Sequence, residues 1–344
     1  MDVTLPAPHV SISLPIEEAS GVADARQFAM KLAEALELSE SDIGRVALVV
    51  TEAATNIVKH AGRGEILLRA FALEAPASLE VLALDRGPGM ANVAEALRDG
   101  FSTRGSSGHG LGAIARLSTC FEISSAPGKG TALLARVGGA RPKPPVESAL
   151  EWGVVCVPKR GEEVCGDAWA VTAGHARNTI LIVDGLGHGL HAFDAANEAL
   201  RAFWEHSRER PEAILSALHG ALQETRGVVA GIAEINWDTR ELRWAGAGNI
   251  GGTLVPVEGK ASGLVSHIGT VGQKVTRFQG FTHPWPDEGL LILHSDGLSS
   301  GWELESYPGL TRKDPSLIAG VLYRDFTSRQ DDVAVLVGRE RRKT

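Results

Sequence analysis

The stretch Gly138-Gly139-Ala140-Arg141-Pro142-Lys143-Pro144-Pro145 constrains this chain more than any other feature. Its glycines stop a strand-like run from Thr131 to Val137, and its proline cluster forms a short, stiff, extended spacer. The 344 residues are therefore read as two domains of ordinary size, each long enough for its own core. The division predicted is 8–137 and 150–340, with 138–149 as linker.

The two parts are patterned differently. Before the spacer, His9 to Leu14 alternates like a strand, and Glu17 to Leu38 carries Val22, Ala25, Phe28, Ala29, Leu32 and Leu36 on one helical face. A second helix is predicted to begin after Ser39 or Ser41 and run to about His60, with Ile43, Val46, Ala47, Val50 and Ala54 inward. Strands at 65–73 and 78–85 follow, then a Gly-rich stretch, a short helix at 113–118, and strands at 121–125 and 131–137. Helices followed by antiparallel strands predict an α+β two-layer sandwich, not a doubly wound parallel sheet. After the spacer, eight apolar strand-like runs dominate, with helices predicted at about 190–206, 211–225 and 314–326. That is a strand-rich layered domain with flanking helices.

Bulk properties exclude several classes. Hydrophobic content of 44% and charged content of 22% are those of a globular protein. No apolar run approaches the ~20 residues of a membrane span, and Met1 to Ser20 has no basic region followed by an apolar one. Cys120, Cys156 and Cys165 form no CxxC pair, which argues against a disulfide framework and a zinc cluster. A cytoplasmic location and no membrane partner are expected. Up to residue 137 there are 12 Lys/Arg against 16 Asp/Glu, and afterwards 22 against 26, so each part carries −4 of the net −8. A nucleic-acid surface needs a positive stripe, and none is present, so no nucleic-acid partner is expected.

The first part holds three motifs in order. Glu52-Ala-Ala-Thr-Asn56 puts a carboxylate and an amide one helical turn apart on one face, both hard oxygen donors suited to Mg2+. Asp85-Arg-Gly87-Pro-Gly89 fixes an acceptor at a strand end, with glycines that let a ligand approach the backbone. Gly108-His-Gly110-Leu-Gly112 opens a helix, whose N-terminal N–H groups suit phosphates. Each alone is commonplace, a solvated face or a turn; the ordered set is specific. It resembles the N, G1 and G2 boxes of the Bergerat-fold (GHKL) ATPases and kinases. Asp99-Gly-Phe-Ser-Thr-Arg104-Gly105 and His60-Ala-Gly-Arg-Gly-Glu65 narrow the resemblance to RsbT-type switch kinases of bacterial stress regulation. The resemblance implies a Bergerat-type α/β sandwich binding ATP and Mg2+. Glu52 would be the general base, Asn56 the Mg2+ ligand, and Asp85 the acceptor from the adenine amino group, with Gly87 and Gly89 shaping the pocket. Ser102, Thr103, Arg104, Gly108, Gly110 and Gly112 would close over the phosphates, and Thr131 would contact the base. The chain has no GxxxxGK[ST], which excludes a P-loop enzyme.

The second part distributes acidic residues over strand boundaries. Asp184 follows Thr179 to Val183, Asp296 follows Leu290 to Ser295, and a glycine follows each. Asp167 precedes one apolar run, and Asp331-Asp332 precede another. One such carboxylate is usually a solvated turn, but several converging from buried strand ends are how a two-metal hydrolase holds Mg2+ or Mn2+. Cys165-Gly-Asp167, Asp184-Gly-Leu-Gly-His188-Gly, Gly246-Ala-Gly-Asn249, Ser295-Asp-Gly297 and Gln330-Asp-Asp332-Val resemble the SpoIIE/PP2C phosphatases, among them the RsbX type. The resemblance implies a PP2C-like αββα sandwich in which Asp167, Asp184 and the Gly185 carbonyl serve one or both metals and Asp296 and Asp331 the other, Asp332 ranking below Asp331. Ala334 departs from the family's frequent Thr, and no phosphate-binding arginine of the eukaryotic branch is matched.

Gly246-Ala-Gly248-Asn-Ile-Gly251 also fits GxGxxG, but the strand-like run after it predicts a hairpin instead of a dinucleotide site. His188 is left between lining the metal site and capping the helix after it. The function implied is a bifunctional regulator that phosphorylates Ser or Thr of a STAS-domain stress-signalling protein and dephosphorylates the same protein or a partner. The alternative is a metal-dependent phosphatase whose first domain senses ATP or sequesters a protein, as anti-sigma factors do.

Overall fold

The computed structural model describes residues 10–71, 77–97, 110–139, 148–273, 275 and 277–341. The chain forms two compact units, Met1–Lys143 with Glu303–Arg324, and Pro144–Trp302 with Asp325–Thr344.

In the first unit the strands β1 (Ile12–Ile16), β2 (Gly64–Phe71), β3 (Ser78–Asp85), β4 (Cys120–Ser125) and β5 (Thr131–Gly138) make an antiparallel sheet in the order β1-β2-β3-β5-β4. Helices α1 (Ala19–Ala35), α2 (Glu40–Asn56) and α4 (Gly110–Leu117) contribute with one face of that sheet to a single core, and the short α3 (Val93–Ala96) lies between β3 and α4 in the chain. Ser39, not Ser41, caps α2, accepting from the Asp42 N–H at 3.1 Å. The predicted continuation to His60 is a π-helical turn, Ile57–Ala61, a form that recurs at functional sites.

The period-2 alternation of β2, β3 and β5 sends Ile66, Leu68, Leu79, Val81, Ala83, Leu133, Ala135 and Val137 into the helical core. The intervening positions include Glu65, Arg69, Glu80 and Arg136, all at most 4% exposed. Their burial comes from Glu303–Arg324, which the chain returns to this unit. Arg136 donates to both oxygens of Asp314 at 2.8 and 2.9 Å and to Glu80 at 2.8 Å, and Arg69 donates to Glu80 at 2.8 Å and to Ser316 at 3.3 Å. Burial pushes the Glu80 carboxyl up, but the guanidinium groups of Arg69 and Arg136 outweigh it and hold the carboxyl below its ordinary range. A buried charge left without its partner costs about 3–5 kcal/mol. Arg136→Ala is therefore expected to lower the unfolding free energy of this unit by about that amount, measurable by urea denaturation of the full chain. A loss under about 1 kcal/mol would show the network to be dispensable.

In the second unit, β6 (Leu150–Val157), β11 (Gly251–Val255), β12 (Ser262–Gly263), β14 (Leu290–His294) and β15 (Val333–Glu340) form one sheet, in the order β12-β11-β14-β15-β6. Strands β7 (Asp167–Val171), β8 (Arg177–Gly185), β9 (Val228–Asn236), β10 (Glu241–Ala247) and β13 (Phe281–Pro284) form the other, in the order β13-β10-β9-β8-β7. Helices α5 (Leu190–His206) and α6 (Pro211–Ala221) pack on the second of these through Ala195, Ala199, Phe203, Ile214 and Leu218. The hairpin expected at Gly246–Gly251 is not formed. Strand β10 pairs with β9 and β13, β11 pairs with β12 and β14, and this turn passes the chain from one sheet to the other. Gly248, at φ +90° and with Val229 where a Cβ would stand, is what makes the crossing possible. Helix α7 (Pro315–Phe326), whose residues Pro315–Arg324 belong to the first unit, is buried at each of those ten positions, and its Gly320 faces Leu82 and Leu84 of β3 within that unit.

Candidate active sites

The first site is built by the end of α2, the end of β3 and the start of α4. Glu52 and Asn56 fall in the last turns of α2 on one face, and Gly110 stands directly opposite them. A Cβ on Gly110 would lie 2.9 Å from Glu52 Oε2 and 3.6 Å from Asn56 Oδ1. The carboxylate, the amide and the backbone at the N-terminal end of α4 are thus one cluster. Asp85 ends β3 in register with Gly64 on one side and Thr131 on the other. Its Oδ1 accepts the N–H of Gly87 at 2.8 Å and of Thr131 at 3.2 Å. Burial pushes the Asp85 carboxyl up, and these two N–H groups, with the charges of Arg324 and His60, oppose it. Gly87 packs on Ala61 of the π-helical turn, which joins the Asp85 loop to the end of α2. Gly112 is buried within α4. Ser102, Thr103, Arg104 and Gly108 lie outside the described residues.

Two glycines here have no substitute. Gly89 and Gly130 sit at φ +69° and +67°, and a Cβ on them would lie 2.0 Å from the Ala126 carbonyl and 2.1 Å from the Asp85 carbonyl. Gly130→Ala is expected to destabilise the first unit by about 2 kcal/mol or more and to abolish nucleotide binding, as read by thermal melting and by displacement of a fluorescent ADP analogue. Ser125 was missed in the sequence. Its hydroxyl donates to the Gly130 carbonyl at 2.9 Å and accepts the Met90 N–H at 2.9 Å, pinning both glycine turns.

The second site gathers the acidic strand ends. Asp167 and Asp184 are directly paired across β7 and β8. Asp167 is 1% exposed; burial and then the Asp184 charge push its carboxyl well up, although Ser295 Oγ donates to it at 2.5 Å. Asp184 is pushed up to about 8, by burial first and then by the negative charges of Asp296, Asp331 and Asp332. Asn249 donates to Asp296 Oδ2 at 2.7 Å. Gly185 presses so closely on Ala192 of α5 that a Cβ would lie 2.4 Å from its carbonyl oxygen. Asp332 points elsewhere: its two oxygens accept the N–H groups of Lys159 at 2.8 Å and Gly166 at 3.0 Å, closing the loop ahead of Asp167. His188 Nδ1 lies 2.6 Å from Glu162 Oε1, and the cap of α5 is Gly189. Arg226 was also missed; its Nη1 would be 3.2 Å from a Cβ on Gly187, so a guanidinium stands at the Asp184–Gly189 loop.

The donor chemistry fits a hard divalent cation, since buried carboxylates raise one another's proton affinity unless a metal or a proton lies between them. Among the described residues no three His, Cys, Asp or Glu side chains stand in a ligating group as placed. Asp184 is hydrogen-bonded to Asp296.

Residues 16–137 match the family described as Histidine kinase-like ATPase domain, and residues 174–340 match Stage II sporulation protein E (SpoIIE). The serine/threonine-protein kinase RsbT of Bacillus subtilis (strain 168) is 35% identical over 111 residues, which cover 32% of this chain and 84% of that protein. The first part of the chain belongs to the ATPase family, and a SpoIIE/PP2C-like domain follows it. The SpoIIE part is 25% identical over 182 residues to the phosphoserine phosphatase RsbX of the same organism, covering 52% of this chain and 89% of that protein. The ATPase part is also 33% identical over 113 residues to the anti-sigma F factor of Caldanaerobacter subterraneus subsp. tengcongensis, covering 31% of this chain and 78% of that protein. A solved chain from the bacterial stressosome, described as a modular system adapted to control secondary messenger signaling, covers 55% of this chain and 99% of its own length at 26% identity and a TM-score of 0.52. The chain therefore joins a kinase-like ATPase domain to a PP2C-type phosphatase domain. Asp167 lies seven residues ahead of the SpoIIE match and enters the site through its pairing with Asp184. Among the described residues no helix is long and apolar enough to cross a membrane.

Proposed function

We propose that this chain is a bifunctional regulator whose first domain phosphorylates Ser or Thr of a STAS-domain stress-signalling protein with ATP and whose second domain removes phosphate from the same protein or a partner. The observation that carries the kinase half is the meeting of Glu52, Asn56 and Gly110. It brings a carboxylate, an amide and a helix N-terminus around one point, and phosphoryl transfer needs little beyond positioning and charge neutralisation. Glu52 accepts the proton of the substrate hydroxyl, Asp85 and Thr131 hold the adenine edge, and the N–H groups opening α4 face the phosphates. Mg2+ on Asn56 supplies neutralisation of phosphate charge when bound. A pure nucleotide sensor has no use for a carboxylate at position 52.

In the second domain Asp167, Asp184, Asp296 and Asp331, with the Gly185 carbonyl, are the groups that hold Mg2+ or Mn2+. When bound, those ions supply charge neutralisation at the phosphate and a nucleophile at neutral pH. Asn249 orients Asp296, Ser295 orients Asp167, and Arg226 offers a cation to the incoming phosphate. The likeness to RsbT and RsbX supports this pairing of activities. The likeness to the anti-sigma F factor favours a second reading, in which the first domain sequesters a protein and transfers no phosphate.

The test uses purified full-length chain, labelled Mg-ATP and a STAS-domain protein encoded nearby. Label is expected to accumulate on the STAS protein with Asp296→Asn and to fall away when wild type is added. A tight complex with the added protein and no label in any variant would establish the sequestering reading instead.

A further inference from the structure

Residues 303–324 interrupt the phosphatase domain between two of its metal-ligand candidates, Asp296 and Asp331, yet they belong to the compact unit that holds the nucleotide site. Within that unit they touch the site in two places. Arg324 Nη1 donates to the main-chain carbonyl of Asp85 at 3.1 Å, and Arg86 Nη2 donates back to the Arg324 carbonyl. The Lys129 ammonium, beside Gly130 and Thr131, lies 5.0 Å above the Tyr307 ring. The segment is locked down between these points by the buried Glu80–Arg136–Asp314 charges and by the Tyr323 hydroxyl, which donates to Glu65 at 3.2 Å.

The other end of the segment runs into the metal-ligand loops. The Arg324–Asp325 peptide bond carries the chain into the second unit, where the residues that follow are stitched to those after Asp296. The Phe326 carbonyl accepts both the N–H and the hydroxyl of Ser299, at 3.0 and 2.8 Å. Thr327 bridges Leu298, the Ser328 N–H donates to the Gly297 carbonyl at 3.3 Å, and Asp331 follows within the same short stretch. Arg324 is therefore two residues from a strap that ties together the backbone flanking both ligand candidates.

We infer that Arg324 is a positioning residue of the nucleotide site and that segment 303–324 is a relay, through which nucleotide at Asp85 and metal at Asp296 and Asp331 alter each other's binding. This rests on the reading of both sites given above and adds the route between them. A ligand shifts a second site only by contacting two arrangements of a shared element unequally. The shared element here is the strand end Asp85–Arg86 with the buried stretch Pro315–Arg324 of α7 behind it. Occupation of Asp85 tightens the strand end against Arg324 and orders the strap; by linkage, metal at the strap strengthens nucleotide binding by the same factor.

The test is hydrogen exchange of the full-length chain, followed by mass spectrometry, with and without saturating ADP. Peptides spanning 325–333 are expected to exchange at least threefold more slowly with ADP in wild type. In Arg324→Met, which keeps the apolar reach of the side chain, ADP binds more weakly, and at saturation that slowing disappears. Arg86→Ala, which removes the donor to the Arg324 carbonyl, gives the same loss and serves if Arg324→Met does not fold. ADP bound with 325–333 unchanged in wild type, or slowing retained in both variants, overturns the relay while leaving the two sites intact. If wild type binds no ADP, the reading of the nucleotide site fails and the relay falls with it.

Discussion

Asp184→Asn is expected to abolish Mn2+-dependent hydrolysis of p-nitrophenyl phosphate, by about 100-fold or more, while raising the melting temperature of the metal-free protein at pH 8. The two effects share one cause. Asp184 is largely desolvated and feels the charges of Asp296, Asp331 and Asp332, and its carboxyl is pushed up to about 8. An acid whose folded value lies above its unfolded value destabilises the fold as pH rises from about 4 to about 8, because ionisation is easier in the unfolded chain. At pH 8 the wild type bears most of that penalty and the amide bears none. Each kcal/mol relieved is worth about 2–4 °C for a domain of this size. The same repulsion is what a divalent cation relieves, so Mn2+ should stabilise wild type more at pH 8 than at pH 6 and should not stabilise Asp184→Asn. A variant with full activity, or one that melts lower than wild type without metal, would move the metal site elsewhere.

Glu52→Gln carries the second large effect. The amide keeps the shape beside Gly110 but cannot take a proton, and loss of a positioned general base costs about 10²- to 10⁴-fold in transfer rate. Nucleotide affinity should stay within a few-fold, since the adenine contacts proposed for this site are Asp85 and Thr131 and not Glu52. The measurement is the single-turnover rate of phosphoryl transfer beside the affinity for a fluorescent ADP analogue. A fall in affinity with the transfer rate preserved would make Glu52 a binding group and leave the base unassigned.

Much of both sites was legible because their residues end apolar runs. A carboxylate that stops a buried strand and is followed by glycine, as at Asp85-Arg-Gly87, Asp184-Gly185 and Asp296-Gly297, stands out by its place alone. The helical spacing of Glu52 and Asn56 was equally readable. What escaped has physical reasons. A Gly-rich turn serves a hairpin and a crossing between sheets alike, so Gly246–Gly251 was assigned to the wrong one. In an extended chain Asp331 and Asp332 point to opposite sides, and only the loop at Lys159–Gly166 settles that Asp332 is committed to backbone N–H groups. The return of 303–324 to the first unit depends on Arg136 meeting Asp314 across 178 residues, a contact without local signature. The one available hint was the pattern on β2, β3 and β5, where Glu65, Arg69, Glu80 and Arg136 occupy the face that a two-layer sandwich leaves to solvent. Charges there fit an open face as well as a buried network.

The most direct test of the central claim, two opposed activities in one chain, is the yield of ADP and inorganic phosphate when the protein is mixed with excess Mg-ATP, Mn2+ and a limiting amount of the STAS-domain protein. The account predicts continuous turnover by wild type, many ADP and phosphate per STAS protein. Asp296→Asn should stop after one ADP per acceptor site with no phosphate released, and Glu52→Gln should yield little of either. Turnover by wild type that is the same with the STAS protein left out would contradict it, as would continued phosphate release by Asp296→Asn.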